Sequence, residues 1–526
     1  MSIHDFLEEF LGHEKFWFSK TECEDLYLSK KYGHLLISNG EQANVFVDGT
    51  PRDHLAYTIM YDQLPRHICR SEERAETECV EYFLRLSLQH YVHIDVDSLT
   101  DLEWCFAHLP IRHTQDPLNI AKVANEAWKR ARPGCHPFLF RFLKATYTRC
   151  PTSDQTPFIS TSYVNTKFAP AKHADTLAFT PTRSVLPIDP KNPVVKAVKK
   201  ALDAHHPVKL VMSISGGSDS MTAFHIIHGL REAYKYDIEV VMVNYTNRDT
   251  AYDEETFVTE WVNSLGYPLH VRQLWEIKRK KCTEHDMRSV YEKYTRNVRY
   301  STYRNIGGDA MVVMGHNKDD CLENILENIS NCHKYDNLFG MDTVVQQDGI
   351  TFFRPLLSIP KDDIVAYAVK HQIPFLPNST PPHFHRGKIR NSVVPVLNAW
   401  NDLFIPGLFH MKEALADMHK IVDMNADTFV KKFDAYHTAC VDKSYIEMGE
   451  YFWKLSLRKM FPNEKLSNKM FSSLLELLSR APENCRFEIN KNIRLTMKTS
   501  GDEVCMRFSY ISQIDQSADH TRADSE

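Results

Sequence analysis

The sequence predicts a multidomain chain: an all-α N-terminal region, an α/β core on a parallel sheet, and a mixed, mainly helical C-terminal extension. Three observations carry this. Residues 1–150 repeat apolar side chains at helical spacing: Ile3, Phe6, Leu7, Phe10 and Leu11, and later Val80, Phe83, Leu84, Leu88 and Tyr91. From about residue 193, short continuous apolar runs alternate with amphipathic helical stretches, the pattern of a sheet buried on both faces. The end of the chain, RFEINKNIRLTMKTSGDEVCMRFSY, alternates apolar and polar residues around a Ser-Gly-Asp turn, as a small antiparallel unit would.

The elements follow in order. The expected segments are 1–150 (helical), 151–192 (a linker rich in Pro, Ser and Thr), 193–400 (α/β), 401–512 (helical plus small β) and 513–526 (a disordered tail). Within the core, strands are expected over 208–214, 238–243, 269–274 and 310–314. Helices are expected over 219–232, 254–265, 286–306, 319–330 and 360–371. The 526 residues suit two to four domains. No stretch of about 18 apolar residues is present, so no membrane association is expected. The acidic, amphipathic N-terminus lacks signal- or transit-peptide character, and a cytoplasmic location is expected. Twelve cysteines without a CxxC pair speak against a zinc ribbon, a cysteine-ligated iron–sulfur cluster or a disulfide framework, and reduced thiols are expected. The formal net charge of −5 excludes a generally basic nucleic-acid binder but leaves room for a local basic patch.

Such a patch exists. Residues 272–304 hold ten Lys/Arg against four Asp/Glu, an excess suited to an RNA backbone.

The most informative stretch is VKLVMSISGGSDSMTAFHIIHGL, residues 208–230. An apolar strand stops at Ser215-Gly216-Gly217-Ser218-Asp219-Ser220 and a helix begins. At the carboxyl end of a parallel strand, glycines let the backbone approach a ligand, and a helix N-terminus offers amides to an anion. Asp219 could reach a magnesium ion. The same residues also make an ordinary capped turn. The turn is no Walker A loop, because no Lys-Ser/Thr pair follows. In its strand–turn–helix setting, SGGSDS resembles the SGGxDS signature of the N-type ATP pyrophosphatases, the PP-loop family. That resemblance implies an adenine nucleotide alpha hydrolase-like fold, ATP bound by Ser215, Gly216, Gly217, Ser218, Asp219 and Ser220, and cleavage between the α- and β-phosphates.

Four further segments agree in order. His316, Asp319, Asp320 and Glu323 are spaced H-x-x-D-D-x-x-E, with carboxylates at a helix start and Asp320 and Glu323 on one face. This is similar to the HxxDDxxET motif of tRNA(Ile)-lysidine synthetases, a PP-loop subgroup. Arg296 and Arg299 lie one turn apart in YTRNVRY, which resembles that subgroup's ARxxRY helix and could clamp a phosphate. FFRPLLSIPKDDI (352–364) is similar to its RPLL segment. His385 to Asn391 with Pro395 and Leu397 resembles its RNxIRxxxxPxL ending, with Arg386, Lys388 and Arg390 as RNA or pyrophosphate contacts. Departures are Asn244-Tyr245-Thr246-Asn247-Arg248 where the family has DHGxR, Pro377-Asn378-Ser379-Thr380 where it has Asp-Pro-Ser-Asn, and Asn324 where it has threonine.

The resemblance implies a tRNA-modifying ligase using ATP and Mg2+, with tRNA and free lysine as substrates. The C2 oxygen of a wobble cytidine attacks the α-phosphate, pyrophosphate leaves, and lysine then displaces AMP to give lysidine. Asp219 and Asp320 are the metal candidates. His316 would act on the α-phosphate, and Asp320 and Glu323 would alternatively hold the lysine ammonium. Other outcomes are a different PP-loop RNA modification such as thiolation, or a non-catalytic nucleotide-dependent RNA-binding scaffold.

The N-terminal region is similar to a different family, the helical domain-of-unknown-function family 924, regarded as tetratricopeptide-like. The matching segments are Phe16-Trp17-Phe18, Tyr61-Asp62-Gln63-Leu64-Pro65-Arg66-His67, and Leu109 to Asp116. Asp62, Gln63 and His113 read either as a site or as a buried polar network. A structural role or a protein partner is the expected use of this region.

Overall fold

A computed structural model describes residues 2–18, 22–40, 49–72, 78–162, 187–331, 340–376, 385–480 and 483–511. By compactness the chain forms two units, Met1–Asn317 with Thr343–Ser379, and Lys318–Asp342 with Thr380–Glu526.

The first unit opens with nine helices among the described residues: α1 (Ile3–Gly12), α2 (Lys15–Phe18), α3 (Glu22–Gly40), α4 (Pro51–Ser71), α5 (Glu78–Tyr91), α6 (Asp101–Ala107), α7 (Leu109–His113), α8 (Pro117–Arg130) and α9 (Phe138–Arg149). Their starts are written in the sequence. Ser2 with Asp5, Thr50 with Asp53 and Thr100 with Glu103 each close a reciprocal capping box. Phe6, Phe10, Leu55, Ile59, Phe106 and Phe142 are buried in one core.

That core does not stop at residue 150. It continues through Leu274, Ile277, Cys282, Tyr291, Tyr294 and Val298 of the α/β region. Polar groups join the same surfaces. Tyr147 donates to the carbonyl of Glu276 at 2.6 Å, and Tyr294 donates to Glu276 Oε1 at 3.1 Å. Arg272 and Glu276, both wholly buried, form an ion pair. Arg272 therefore belongs to the core and not to the basic surface that its segment suggests.

The sheet has seven strands in the order β1-β4-β3-β2-β5-β7-β6. These are β1 (Ile159–Ser162), β2 (Lys209–Ser213), β3 (Asp237–Asn244), β4 (Leu269–Gln273), β5 (Met311–Val313), β6 (Val344–Gln347) and β7 (Ile350–Phe353). The inner five are parallel; β1 and β6 run antiparallel at the edges. Alternate residues point to opposite faces. Leu210, Met212 and Val240 join Val198, Phe224, Val258 and Trp261 on one face, whereas Val211, Val241 and Val312 join Tyr300, Tyr303 and Phe352 on the other. The helices are α10 (Pro193–His205), α11 (Ser218–Tyr234), α12 (Ala251–Ser264), α13 (Arg279–Glu284) and α14 (Arg288–Gly307). After the strands of this unit comes α16 (Lys361–Lys370); α15 (Lys318–Ser330) belongs to the second unit.

Part of the expected linker is structured. Residues 156–162 form a 3-10 turn and the edge strand β1, which pairs antiparallel with β4. The cause is Arg272. Besides its ion pair with Glu276, its buried guanidinium donates from Nε to Gln155 Oε1 at 2.8 Å and lies over the Phe158 ring, so this segment completes the bonding of a charge held in the core. Residues 163–186 lie outside the described residues, as does the tail from 512.

The second unit continues with α17 (His385–Lys388), α18 (Val394–Trp400), α19 (Phe404–Val430), α20 (Glu450–Met460) and α21 (Asn468–Ser479). Its antiparallel sheet is ordered β8-β11-β10-β9, from β8 (Thr438–Asp442), β9 (Asn484–Glu488), β10 (Ile493–Ser500) and β11 (Glu503–Tyr510). The register sets Cys440 opposite Cys505, and the two are joined by a disulfide. This corrects the expectation of reduced thiols throughout. The partners are 65 residues apart and become neighbours only through strand pairing.

Candidate active site

The parallel sheet turns its order at β2, which has β3 on one side and β5 on the other. Such a switch leaves a crevice beyond the strand's carboxyl end. The glycine turn sits there. Gly216 has φ +79°, a left-handed conformation that a side chain rarely adopts. A Cβ at this position would lie 2.9 Å from Leu376 Cδ1 and 3.2 Å from Val258 Cγ2. The Leu376 amide also donates to the Gly216 carbonyl at 2.8 Å, pinning the turn.

Gly217 is the N-cap of α11, and no side chain caps that helix. The serines look inward instead. Ser220 Oγ donates to the Gly217 carbonyl at 3.1 Å and accepts from the Ser215 amide at 3.2 Å. The amides at the start of a 17-residue helix are thereby left for an external anion. A neighbouring loop comes close: a Cβ on Gly315 would meet the Ser220 nitrogen at 2.8 Å.

Asp219 is fixed by two residues far away in sequence. Lys361 Nζ lies 2.5 Å from Asp219 Oδ2 and donates to Ser218 Oγ at 2.9 Å. Asn317, almost wholly buried, donates from Nδ2 to Asp219 Oδ1 at 3.2 Å. Beside Asn317, His316 accepts from Arg354 Nε at Nδ1, 3.1 Å away. In the neutral ring this puts the proton on Nε2. Lys361 and Arg354 both come from the FFRPLLSIPKDDI segment, and sequence reasoning assigned neither a role. The segment itself was the available signal.

The two arginines of α14 have other contacts. Arg296 is half exposed, lies 3.7 Å from Asp348 Oδ2 in the β6–β7 turn and stacks over Tyr300. Arg299 donates to the Tyr245 hydroxyl at 3.4 Å. Arg248, the residue kept from the DHGxR-like position, pairs with Glu254 at 3.3 Å.

In the second unit, the acidic motif lies on the first turns of α15. Glu323 is buried, and Arg390 grips its Oε1 with Nε at 2.8 Å and Nη2 at 2.7 Å. Arg390 also lies 3.7 Å from Asp320 Oδ1. Partial burial works against its charge, but Glu323, then Asp320 and Asp319, hold its guanidinium above the usual range. Arg390, expected to touch RNA or pyrophosphate, is here the counter-ion that holds the Glu323 carboxylate. Lys388 is exposed, whereas the Arg386 side chain lies outside the described residues.

Among the described residues, no group of three or more His, Cys, Asp or Glu side chains is arranged to hold a metal. The Asp219 carboxylate beside the glycine turn suits magnesium, which takes one or two carboxylates and fills the rest of its shell with phosphate oxygens and water.

Residues 190–397 match the family model described as a PP-loop domain. This region of the chain is a PP-loop domain. Residues 6–136 match the family described as a bacterial protein of unknown function, DUF924. Among curated proteins, the chain is 23% identical over 230 residues to a tRNA(Ile)-lysidine synthase of Staphylococcus aureus, covering 43% of this chain and 52% of that protein. It is 24% identical over 285 residues to the enzyme of that name from Nitrosomonas europaea, covering 53% and 57%. The chain thus spans about half the length of the curated relatives it matches. Among solved structures, a U34-tRNA thiolase from Methanococcus maripaludis is similar with TM-score 0.35 and 18% identity, over 43% of this chain and 78% of that one. Among the described residues, no helix of the PP-loop domain or the rest of the chain is long and apolar enough to cross a membrane.

Proposed function

We propose that the PP-loop domain cleaves ATP between its α- and β-phosphates to activate a base of tRNA, and that free lysine is the second substrate, giving lysidine. The observation that supports this most is the uncapped start of α11 behind the left-handed Gly216, with the Asp219 carboxylate beside it. The curated relatives of this region, named as tRNA(Ile)-lysidine synthases, support the choice of tRNA and lysine.

The chemistry has a clear need. The C2 oxygen of cytidine is a poor leaving group, and adenylation makes it a good one. The helix amides and Lys361 would meet the charge of the departing pyrophosphate. Lys361 now neutralises Asp219; ATP would offer that ammonium phosphate oxygens instead. His316, with its proton on Nε2, is a donor for a phosphate oxygen. Asp219 would hold magnesium, with Asp320 the second candidate; when bound, the ion supplies positive charge to the phosphate oxygens. Arg296 and Arg299 would contact phosphate or RNA, and Lys388 and Arg386 the RNA. Asp319, Asp320 and Glu323 form the acidic stretch that would receive the lysine ammonium.

The experiment is incubation with ATP, tRNA and radiolabelled lysine. Lysine carried into tRNA in an ATP-dependent way supports the proposal. Sulfur incorporation from a sulfide donor without lysine transfer would move the assignment to thiolation, and nucleotide binding without pyrophosphate release would move it to a non-catalytic scaffold.

A further inference from the structure

Two side chains of the helical region reach the PP-loop domain and have no part in the nucleotide chemistry. Tyr147 of α9 and Trp128 of α8 are both buried. Trp128 Nε1 donates to the Tyr147 hydroxyl at 2.7 Å, and that hydroxyl donates in turn to the Glu276 carbonyl at 2.6 Å. Lys281 of α13 donates back to the Trp128 carbonyl at 3.2 Å. The helical region therefore grips the segment that follows β4.

That segment is tied to the loop that follows β3. The Leu274 amide donates to the Asn244 carbonyl at 2.8 Å, and the Leu274 carbonyl accepts from Thr246 Oγ1 at 2.6 Å. Lys278 Nζ donates to the Thr246 carbonyl at 2.8 Å and to its Oγ1 at 2.5 Å. Thr246 is buried with φ +47°, a left-handed conformation that a β-branched residue keeps only where its surroundings hold it. The loop in turn holds α12. Asn244 Nδ2 donates to the Ala251 carbonyl at 3.0 Å and to Glu255 Oε2 at 2.7 Å, and Gln273 Nε2 donates to the same carboxylate at 2.8 Å.

β3 runs parallel to β2 with Val241 opposite Ser213, so the loop 244–248 leaves the sheet beside the glycine turn. Two contacts frame the crevice from there. Val258 of α12 stands where a Cβ on Gly216 would meet it at 3.2 Å, and the Tyr245 hydroxyl accepts from Arg299 at 3.4 Å.

We infer that Tyr147 of the helical region is a positioning residue for the nucleotide site: through Glu276 it fixes residues 274–278, which fix the loop 244–248 and the start of α12 beside the glycine turn. This role rests on the nucleotide reading of that turn. Loss of the hydroxyl leaves the buried Trp128 N–H without its acceptor and releases the carbonyl that anchors the segment. Groups that place a ligand tolerate little displacement of their support.

The test uses the full chain and two readouts, taken where every variant is folded: amide hydrogen exchange by mass spectrometry, and calorimetric affinity for a non-hydrolysable ATP analogue with magnesium. Tyr147→Phe keeps the ring. It is expected to speed exchange in a peptide covering 244–251 several-fold and to weaken the analogue roughly 10-fold. Trp128→Phe removes the donor that orients the hydroxyl and should move both readouts in the same direction by less. Ser87→Ala is the control. Its hydroxyl, buried between α5 and α4, donates to the Thr58 carbonyl at 2.7 Å, so its loss lowers melting through the helical core and should leave both readouts at wild-type values. Unchanged exchange at 244–251 in Tyr147→Phe and Trp128→Phe, wild-type affinity in both, or Ser87→Ala matching them, would each overturn the inference. Wild type that binds no analogue would overturn the nucleotide reading and the inference with it; the exchange readout, which needs no nucleotide, tells the two failures apart.

Discussion

Gly216→Ala separates two costs that the structure places at one residue. The first is conformational: φ is +79°, and forcing an L side chain into the left-handed region costs about 1–2 kcal/mol. The second is steric. The new methyl would sit 2.9 Å from Leu376 Cδ1 and 3.2 Å from Val258 Cγ2. Both belong to the same buried core, so neither can simply turn away into solvent. Overpacking of that kind costs roughly 1–3 kcal/mol more. Gly266→Ala is the internal control. Gly266 has nearly the same backbone, φ +84°, but a methyl there would meet no atom within 4 Å. It should show the first cost alone. Thermal unfolding followed by circular dichroism, with wild type and both variants side by side, reads the difference. Gly216→Ala should melt clearly below Gly266→Ala and should also lose ATP-dependent pyrophosphate release, while Gly266→Ala keeps it. Equal melting of the two variants would refute the steric argument, and full pyrophosphate release by Gly216→Ala would refute the claim that this turn touches the nucleotide.

Three further outcomes follow from other parts of the chain. Arg390→Met should destabilise the second unit by about 1–3 kcal/mol in thermal unfolding, less than a fully buried pair because Arg390 is 43% exposed, and adding Glu323→Gln should recover most of the loss. His108 is buried and its pKa is pulled from 6.5 to about 4 by that burial; both ring nitrogens are satisfied in the neutral form, by the Trp104 carbonyl at 2.7 Å and the Tyr91 hydroxyl at 2.9 Å. Its folded value lies below its unfolded one, so the stabilisation is complete above pH 6.5 and is lost as pH falls toward 4, by roughly 3 kcal/mol in all; His108→Gln should flatten the melting-temperature profile across that interval. Cys440→Ser should leave pyrophosphate release unchanged and lower the melting of the second unit only under oxidising conditions, because its partner Cys505 lies on the adjacent strand.

The central strands were legible within a residue or two because each is a continuous apolar run between turn residues. β1 was not: ISTS is short, half-exposed and set in a Ser/Thr-rich stretch, and it is ordered by the distant Arg272. The β6–β7 hairpin was missed for a similar reason, since its first strand, VVQQ, has little buried surface. In the site, local chemistry placed the glycine turn between strand and helix and the carboxylates at a helix start, while their reading as a site came from the family resemblance. The partners of those residues were not. Lys361 reaches Asp219 across 142 positions, and Arg390 reaches Glu323 across 67. Such pairs leave no local spacing to read; only the fold brings them together. The same holds for the helical region, where periodicity showed the helices but not that their core extends into α14.

The most direct test of the account is the fate of the terminal phosphate of ATP. With ATP labelled at the γ-phosphate, tRNA and magnesium, the label should leave as pyrophosphate, AMP should accumulate, and folded Asp219→Ala should release neither. Label recovered as orthophosphate with ADP, or pyrophosphate release unchanged in Asp219→Ala, would contradict it.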